Sequence, residues 1–124
     1  EWIPTPVMPA VLSNAAIGSS ATISRVGLDP ALSPGGKTLL LTHYPVVADD
    51  VAGEKYDLVL AGHSHGGQIR LPWFGALIVP YAVNGYQKGL YSTAAGPLHV
   101  SPGLGTFFFS ARFLCRPEIT LIEL

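Results

Sequence analysis

The chain is poor in cysteine, in charge and in long apolar runs, and each scarcity removes a class of protein. Cys115 is its one cysteine, which excludes an internal disulfide and any cysteine-based zinc finger within these 124 residues. Charged residues make up 12% of the chain and the formal net charge is −1. The basic residues Arg25, Lys37, Lys55, Arg70, Lys88, Arg112 and Arg116 are scattered, so the sequence carries no footprint for duplex nucleic acid and none is expected as a partner. No apolar run reaches the roughly 18 residues of a spanning helix. The opening Glu1-Trp2-Ile3-Pro4 has neither the charged nor the apolar region of a signal peptide. The compartment stays open, with a cytoplasmic or peripheral-membrane location as the expectation.

What the chain does have is apolar residues, glycine and proline. Hydrophobic residues make up 48%, enough for a packed core, and 14 Gly with 11 Pro favour strands and shaped loops over long helices. Residues 1–20 carry Pro4, Pro6 and Pro9 and read as an extended lead-in. Residues 21–28 alternate as a strand does, ended by Asp29-Pro30, and Ser33-Pro34-Gly35-Gly36 reads as a turn. Residues 38–42 and 57–61 are apolar runs flanking a short helix at 46–52, the pattern of a parallel β-α-β unit with buried strands. Beyond them lie short strand candidates at 68–71, 76–79, 89–92, 98–101 and 118–124, whose rhythm predicts a mainly antiparallel second sheet.

The chemistry concentrates where the two apolar runs end. Leu58-Val59-Leu60-Ala61 leads into Gly62-His63-Ser64-His65-Gly66-Gly67-Gln68, and Leu39-Leu40-Leu41 leads into Thr42-His43-Tyr44-Pro45. Imidazoles one residue apart on a tight glycine turn can face one site, whereas on a regular strand they would point to opposite sides. Ligands of open α/β sheets gather beyond the carboxyl ends of the strands, so parallel neighbours would bring His43, His63 and His65 to one edge. A β-lactamase-like zinc hydrolase would continue the pair into Asp-His, where Gly66 and Gly67 stand. A deubiquitinase-like metalloprotease would need a Ser and an Asp in the next turn, which Gln68-Ile69-Arg70-Leu71-Pro72 lacks. A structural zinc site usually includes cysteine. An open metal site is the better reading, and His99, inside a strand candidate, reads as a sheet residue.

From about Val26 onward the chain resembles the calcineurin-like metallophosphoesterase superfamily, and within it a bacterial, often membrane-associated phosphodiesterase branch. The resemblance rests on His43, on Gly62-His63-Ser64-His65-Gly66-Gly67-Gln68, on Gly75-Ala76-Leu77, on Val100-Ser101-Pro102-Gly103-Leu104-Gly105-Thr106 and on Pro117-Glu118-Ile119. It implies an α/β fold, the metallophosphatase-like αββα sandwich of two mixed sheets, with residues 21–124 as the carboxyl-terminal part of the domain. It implies two divalent metal ions (Mn, Fe or Zn), with His43 and His63 on one and His65 on the other. It also implies hydrolysis of a phosphoester, phosphodiester or pyrophosphate by metal-activated water. Gly66, Gly67 and Gln68 are expected to shape the mouth of the site and Arg112 to meet substrate phosphate. A phosphate-containing small molecule or a lipid-linked nucleotide is the expected partner. The apolar stretch Leu71-Pro72-Trp73-Phe74-Gly75-Ala76-Leu77-Ile78 is either core or a peripheral membrane contact.

The family's earlier motifs, Asp-x-His, Gly-Asp-x-x-Asp and Gly-Asn-His-Asp, do not occur in this chain. The amino-terminal half of the domain, with the carboxylates that neutralise two cations, is therefore expected from elsewhere. The 124 residues alone are expected to be inactive. The alternative is a truncated, non-catalytic binding or partner module.

Overall fold

A computed structural model describes the backbone of residues 14–17 and 21–27 and, in full, residues 37–123. Among the described residues, eight strands, one short α-helix and one 3₁₀ turn follow in order: β1 (Asn14–Ile17), β2 (Ala21–Gly27), β3 (Thr38–Thr42), α1 (Val47–Asp50), β4 (Leu58–Ala61), the 3₁₀ turn (His65–Gly67), β5 (Arg70–Leu71), β6 (Gly75–Ala76), β7 (Gly89–Thr93) and β8 (Gly96–Val100). Six of the strands form one mixed sheet in the order β1-β2-β3-β4-β8-β7, and β5 pairs with β6.

The centre of the sheet is the parallel β3-α1-β4 unit anticipated from the two apolar runs. Leu39, Leu40 and Leu41 lie in register with Leu58, Val59 and Leu60. The starts of the two strands are tied together: Thr38 N–H donates to Asp57 Oδ2 at 2.7 Å, and Asp57 N–H donates to the Thr38 carbonyl at 2.9 Å. Lys37 Nζ adds an ion pair to Asp57 Oδ1 at 3.6 Å. The backbone donor of Thr38 holds the Asp57 carboxyl below its ordinary value, and Lys37 acts in the same direction.

The helix is a single turn, shorter than the expected 46–52. Pro45 and three valines surround it, no side chain caps its start, and Gly53 follows soon after its end, so tertiary burial rather than propensity holds it. Val47 and Ala48 have no exposed surface, and they pack with Val51 on Leu40, Val59, Leu98 and Val100 of the sheet.

Four expectations are corrected. The strands after the glycine turn do not build a second antiparallel sheet: β8 adds in parallel to β4, β7 pairs antiparallel with β8, and only β5 and β6 form a separate two-stranded ladder. β5 and β6 are also cut to two residues each: Gln68 and Ile69 pair with Phe113 on their other side, and a single bond from Leu77 N–H to the Ile69 carbonyl extends the ladder. No strand forms over 118–123; this stretch follows Pro117 as exposed coil, and Ile119, Thr120 and Ile122 line a groove with Leu41 and Leu60. Finally, β3 is buried on one face only, since Leu40 and Thr42 are covered while Leu41 is 48% exposed. Helix α1 covers one side of the sheet, and the apolar run reflects a second face that the described residues leave largely open.

Within the segment read as a lead-in, Asn14–Ile17 are extended and paired with β2. Residues 1–13 and 18–20 of that segment, Leu28 at the end of the second strand candidate, the 33–36 turn and Leu124 lie outside the described residues. No helix among the described residues is long and apolar enough to cross a membrane.

Two measurements check this account. Gly96 has φ +131°, and a Cβ there would fall on the Tyr56 carbonyl oxygen. Gly96→Ala is expected to cost about 1–3 kcal/mol in urea unfolding, through strain at the β7–β8 turn. Asp57 has a lowered folded pKa, so its contribution is present above the unfolded value of about 3.9 and is lost as pH falls through the folded value. The thermal midpoint of Asp57→Ala should therefore lie below that of the parent at pH 7, and the gap should close at acidic pH.

Candidate metal and phosphate site

Because β3 and β4 run parallel and in register, they release the chain at the same edge. Gly62 N–H donates to the His43 carbonyl at 3.3 Å, carrying the pairing one step past both strands. The backbone then leaves strand geometry: His63, His65, Gly66, Gly67 and Gln68 all have φ between +49° and +75°. Three of these are not glycine, and left-handed conformations at such residues are uncommon and cluster at functional sites.

This turn brings the side chains of His43 and His63 together. Nδ1 of His63 lies 2.9 Å from Nε2 of His43, and the rings meet edge-on at 4.7 Å. His63 Nε2 donates to the Tyr81 carbonyl at 3.0 Å, which fixes the neutral ring as the Nε2–H tautomer and leaves a lone pair on Nδ1. Tyr44 and Tyr81 flank the ring at 4.6 and 5.2 Å, and their hydroxyls are 2.9 Å apart. Burial pushes the His63 imidazole below its ordinary pKa, the neighbouring His43 and His65 push the same way, and the Tyr81 carbonyl opposes them.

His65 follows two residues on in the same turn. Its pKa is lowered by burial first, then by the Arg112 guanidinium and by His43, against a hydrogen bond to the Gly105 carbonyl. Its ring stacks on Phe107 with centroids 5.7 Å apart and planes 19° from parallel. Of the three imidazoles, the fold brings His43 and His63 into direct contact, while His65, on the same turn, packs on Phe107.

The donor set fits part of a metal site. Two nitrogens each about 2.0–2.1 Å from one cation, at right to tetrahedral angles, are separated by roughly 2.9–3.4 Å. The His63–His43 spacing falls in that range, and it also suits a direct N–H···N bond. Among the described residues no group of three or more His, Cys, Asp or Glu side chains is arranged to hold a metal ion. Two carboxylates of the unit have other partners: Asp49 accepts from Asn84 and Tyr86, and Asp57, at the opposite end of the strands from the histidines, accepts from Thr38.

Gly66, Gly67 and Gln68, expected to shape the mouth of the site, and Arg112, expected to meet substrate phosphate, all bond within the frame of the turn. Gly66 N–H donates to Ser64 Oγ at 3.1 Å, and Gly67 N–H to the Ser64 carbonyl at 2.9 Å. Ser64, fully buried, donates to the Gln87 carbonyl at 2.5 Å. A Cβ on Gly66 would come within 2.5 Å of Cys115 Sγ. Gln68 uses both ends of its amide, accepting from Phe107 N–H at 2.6 Å and donating to the Phe109 carbonyl at 2.5 Å. Arg112 donates to the carbonyls of Pro102, Gly105, His65 and Cys115. His99 sits in β8 in register with Leu60 and Leu90, the sheet position expected of it.

Sequence reasoning missed Tyr44, Tyr81, Ser64 and Phe107. Tyr44 stands beside His43 in the motif itself and could have been noticed; Tyr81 and Phe107 lie 18 and 42 residues from the histidines they touch, with no local signal.

The chain is similar in sequence to several proteins named as metallophosphoesterases or phosphodiesterases. The chain is 40% identical over 87 residues to a protein of Bacillus subtilis (strain 168) called uncharacterized metallophosphoesterase YkuE, covering 70% of this chain and 30% of that protein. It is 35% identical over 95 residues to phosphodiesterase YaeI of Escherichia coli (strain K12), covering 77% and 35%. It is 36% identical over 95 residues to the transmembrane protein with metallophosphoesterase domain of Bos taurus, covering 74% and 20%. The chain therefore spans about a third or less of the length of these relatives. No family model and no solved structure matches it.

Gln68→Met would leave the Phe107 N–H and the Phe109 carbonyl without their partner. The expected result is a loss of about 1–3 kcal/mol in chemical unfolding, with faster amide exchange confined to residues 105–113.

Proposed function

Since the chain belongs to the calcineurin-like metallophosphoesterases, we propose that it supplies the imidazole side of a dinuclear metal centre that hydrolyses a phosphoester, phosphodiester or pyrophosphate. The observation that carries this reading is the 2.9 Å approach of His63 Nδ1 to His43 Nε2, with His63 Nε2 tied to a main-chain carbonyl. A ring so tied presents a lone pair where a second imidazole nitrogen already points. His43 and His63 hold one divalent ion, Mn, Fe or Zn, and His65 holds the other.

Such ions supply polarisation of the phosphoryl oxygens and acidification of the attacking water. The chain's own residues do the positioning. Tyr81 orients His63 through its carbonyl, while Gln68 and Arg112 brace the loops that carry His65 and Phe107. Gly66 and Gly67 let the turn close against Cys115 and Ala76. The anionic ligands come from the rest of a longer protein, in line with the third of the relatives' length covered here, so these 124 residues alone are inactive. The same missing part completes the two-sheet sandwich, and the open face around Leu41 is where its packing would count. The substrate is a phosphate-containing small molecule or a lipid-linked nucleotide, reached from the cytoplasm or at a membrane surface.

One observation favours the other reading, a binding module without catalysis: His43 and His63 can satisfy each other by hydrogen bonding. Metal analysis of the longer protein separates the two. It should contain bound transition metal and hydrolyse a chromogenic phosphodiester, with His63→Ala losing at least 100-fold in kcat/KM and part of the metal. Equal activity and metal content in parent and variant would sink the hydrolase reading.

A further inference from the structure

A cavity of about 270 Å³ opens beside His65, walled by that ring and by Ile69, Ile78, Pro80, Phe107 and Phe109. The other polar side chains on its wall are engaged: Ser64 bonds to Gln87 and Gly66, and Gln68 to Phe107 and Phe109. A water molecule there would find few partners, and apolar space of this kind accepts apolar groups. A cavity of roughly 150 Å³ already holds benzene, so this one has room for an aromatic ring or a short alkyl chain. It is continuous with the proposed centre, because the His65 ring is both a wall of the cavity and a ligand in that reading, stacked on Phe107.

Resting on the phosphoesterase reading, we infer that this cavity seats the organic group of the substrate ester, and that the enzyme selects phosphodiesters carrying an aryl or alkyl substituent. The ester group lies against Phe107 and Ile78 while its phosphate faces His65. In the reaction, a water oxygen bonds to phosphorus and the bond from phosphorus to the leaving oxygen breaks. The products are an alcohol or phenolate and a monoester that still bears the apolar group. Charged or hydroxyl-rich substituents are disfavoured, since the wall offers them no free partner. Ile78, 64% exposed, is the position at which this preference can be altered with least risk to folding.

The test uses the longer, metal-loaded protein and three esters with one leaving group: p-nitrophenyl methyl, hexyl and phenyl phosphate. Rates are measured alongside calorimetric binding of methyl-, hexyl- and phenylphosphonate, which cannot be hydrolysed. We expect kcat/KM for the hexyl and phenyl esters to exceed that for the methyl ester at least tenfold, matched by a tenfold spread in phosphonate affinity. Ile78→Asp should bring both ratios close to one. Flat rates and flat affinities overturn the cavity assignment while leaving the phosphoesterase reading in place, as they would if another part of the protein fills this space. No hydrolysis of any ester, with the affinity spread retained, overturns the phosphoesterase reading instead.

Discussion

The parallel pairing of β3 with β4 is the constraint from which the rest of this structure follows. It begins with reciprocal bonds between Thr38 and Asp57 and ends with Gly62 donating to His43, so both strands stop at one level. Two histidines 20 positions apart in the chain become neighbours there. An antiparallel arrangement of the same runs would have put His43 and His63 at opposite ends of the sheet. Helix α1 is the short crossover that parallel strands require, and its burial on Leu40 and Val59 links the stability of the core to the geometry of the site.

The readable part of the fold was the part governed by local pattern. Apolar runs of five and four residues ending in His43 and Gly62-His63 announced two central strands, and the histidine-glycine spacing announced a turn. What could not be read was partner choice. β8 carries the same kind of short pattern as β5 and β6, yet it joins β4 because Leu98 and Val100 complete the apolar face shared with Val59. The closing run at 118–123 is as apolar as a strand, but it lies across a sheet face rather than along an edge. Alternation in a sequence says which residues share a side and nothing about what lies opposite.

The same distinction applies to the site. His43, His63 and His65 were visible from residue type and spacing, since few residues ligate metals. The polar residues around them were visible as polar, but their partners were not. In sequence Gln68 reads as shaping the mouth of the site and Arg112 as meeting phosphate; in the fold both also bond to segments 39 and 47 residues away. A glutamine amide or a guanidinium recognises a main-chain carbonyl as readily as a ligand oxygen. Only the path of the 102–115 segment past the glycine turn decides which of the two it meets.

The tie between His63 and the carbonyl of residue 81 has an evolutionary corollary. Every amino acid brings the same C=O, so the proton on His63 can be kept in place whichever side chain stands at 81, whereas the packing of the Tyr81 ring on His63 needs that side chain. The main-chain half of this control would leave no trace in a catalogue of invariant positions. Only a change in the course of the backbone near residue 81, such as an inserted or deleted residue, would erase it.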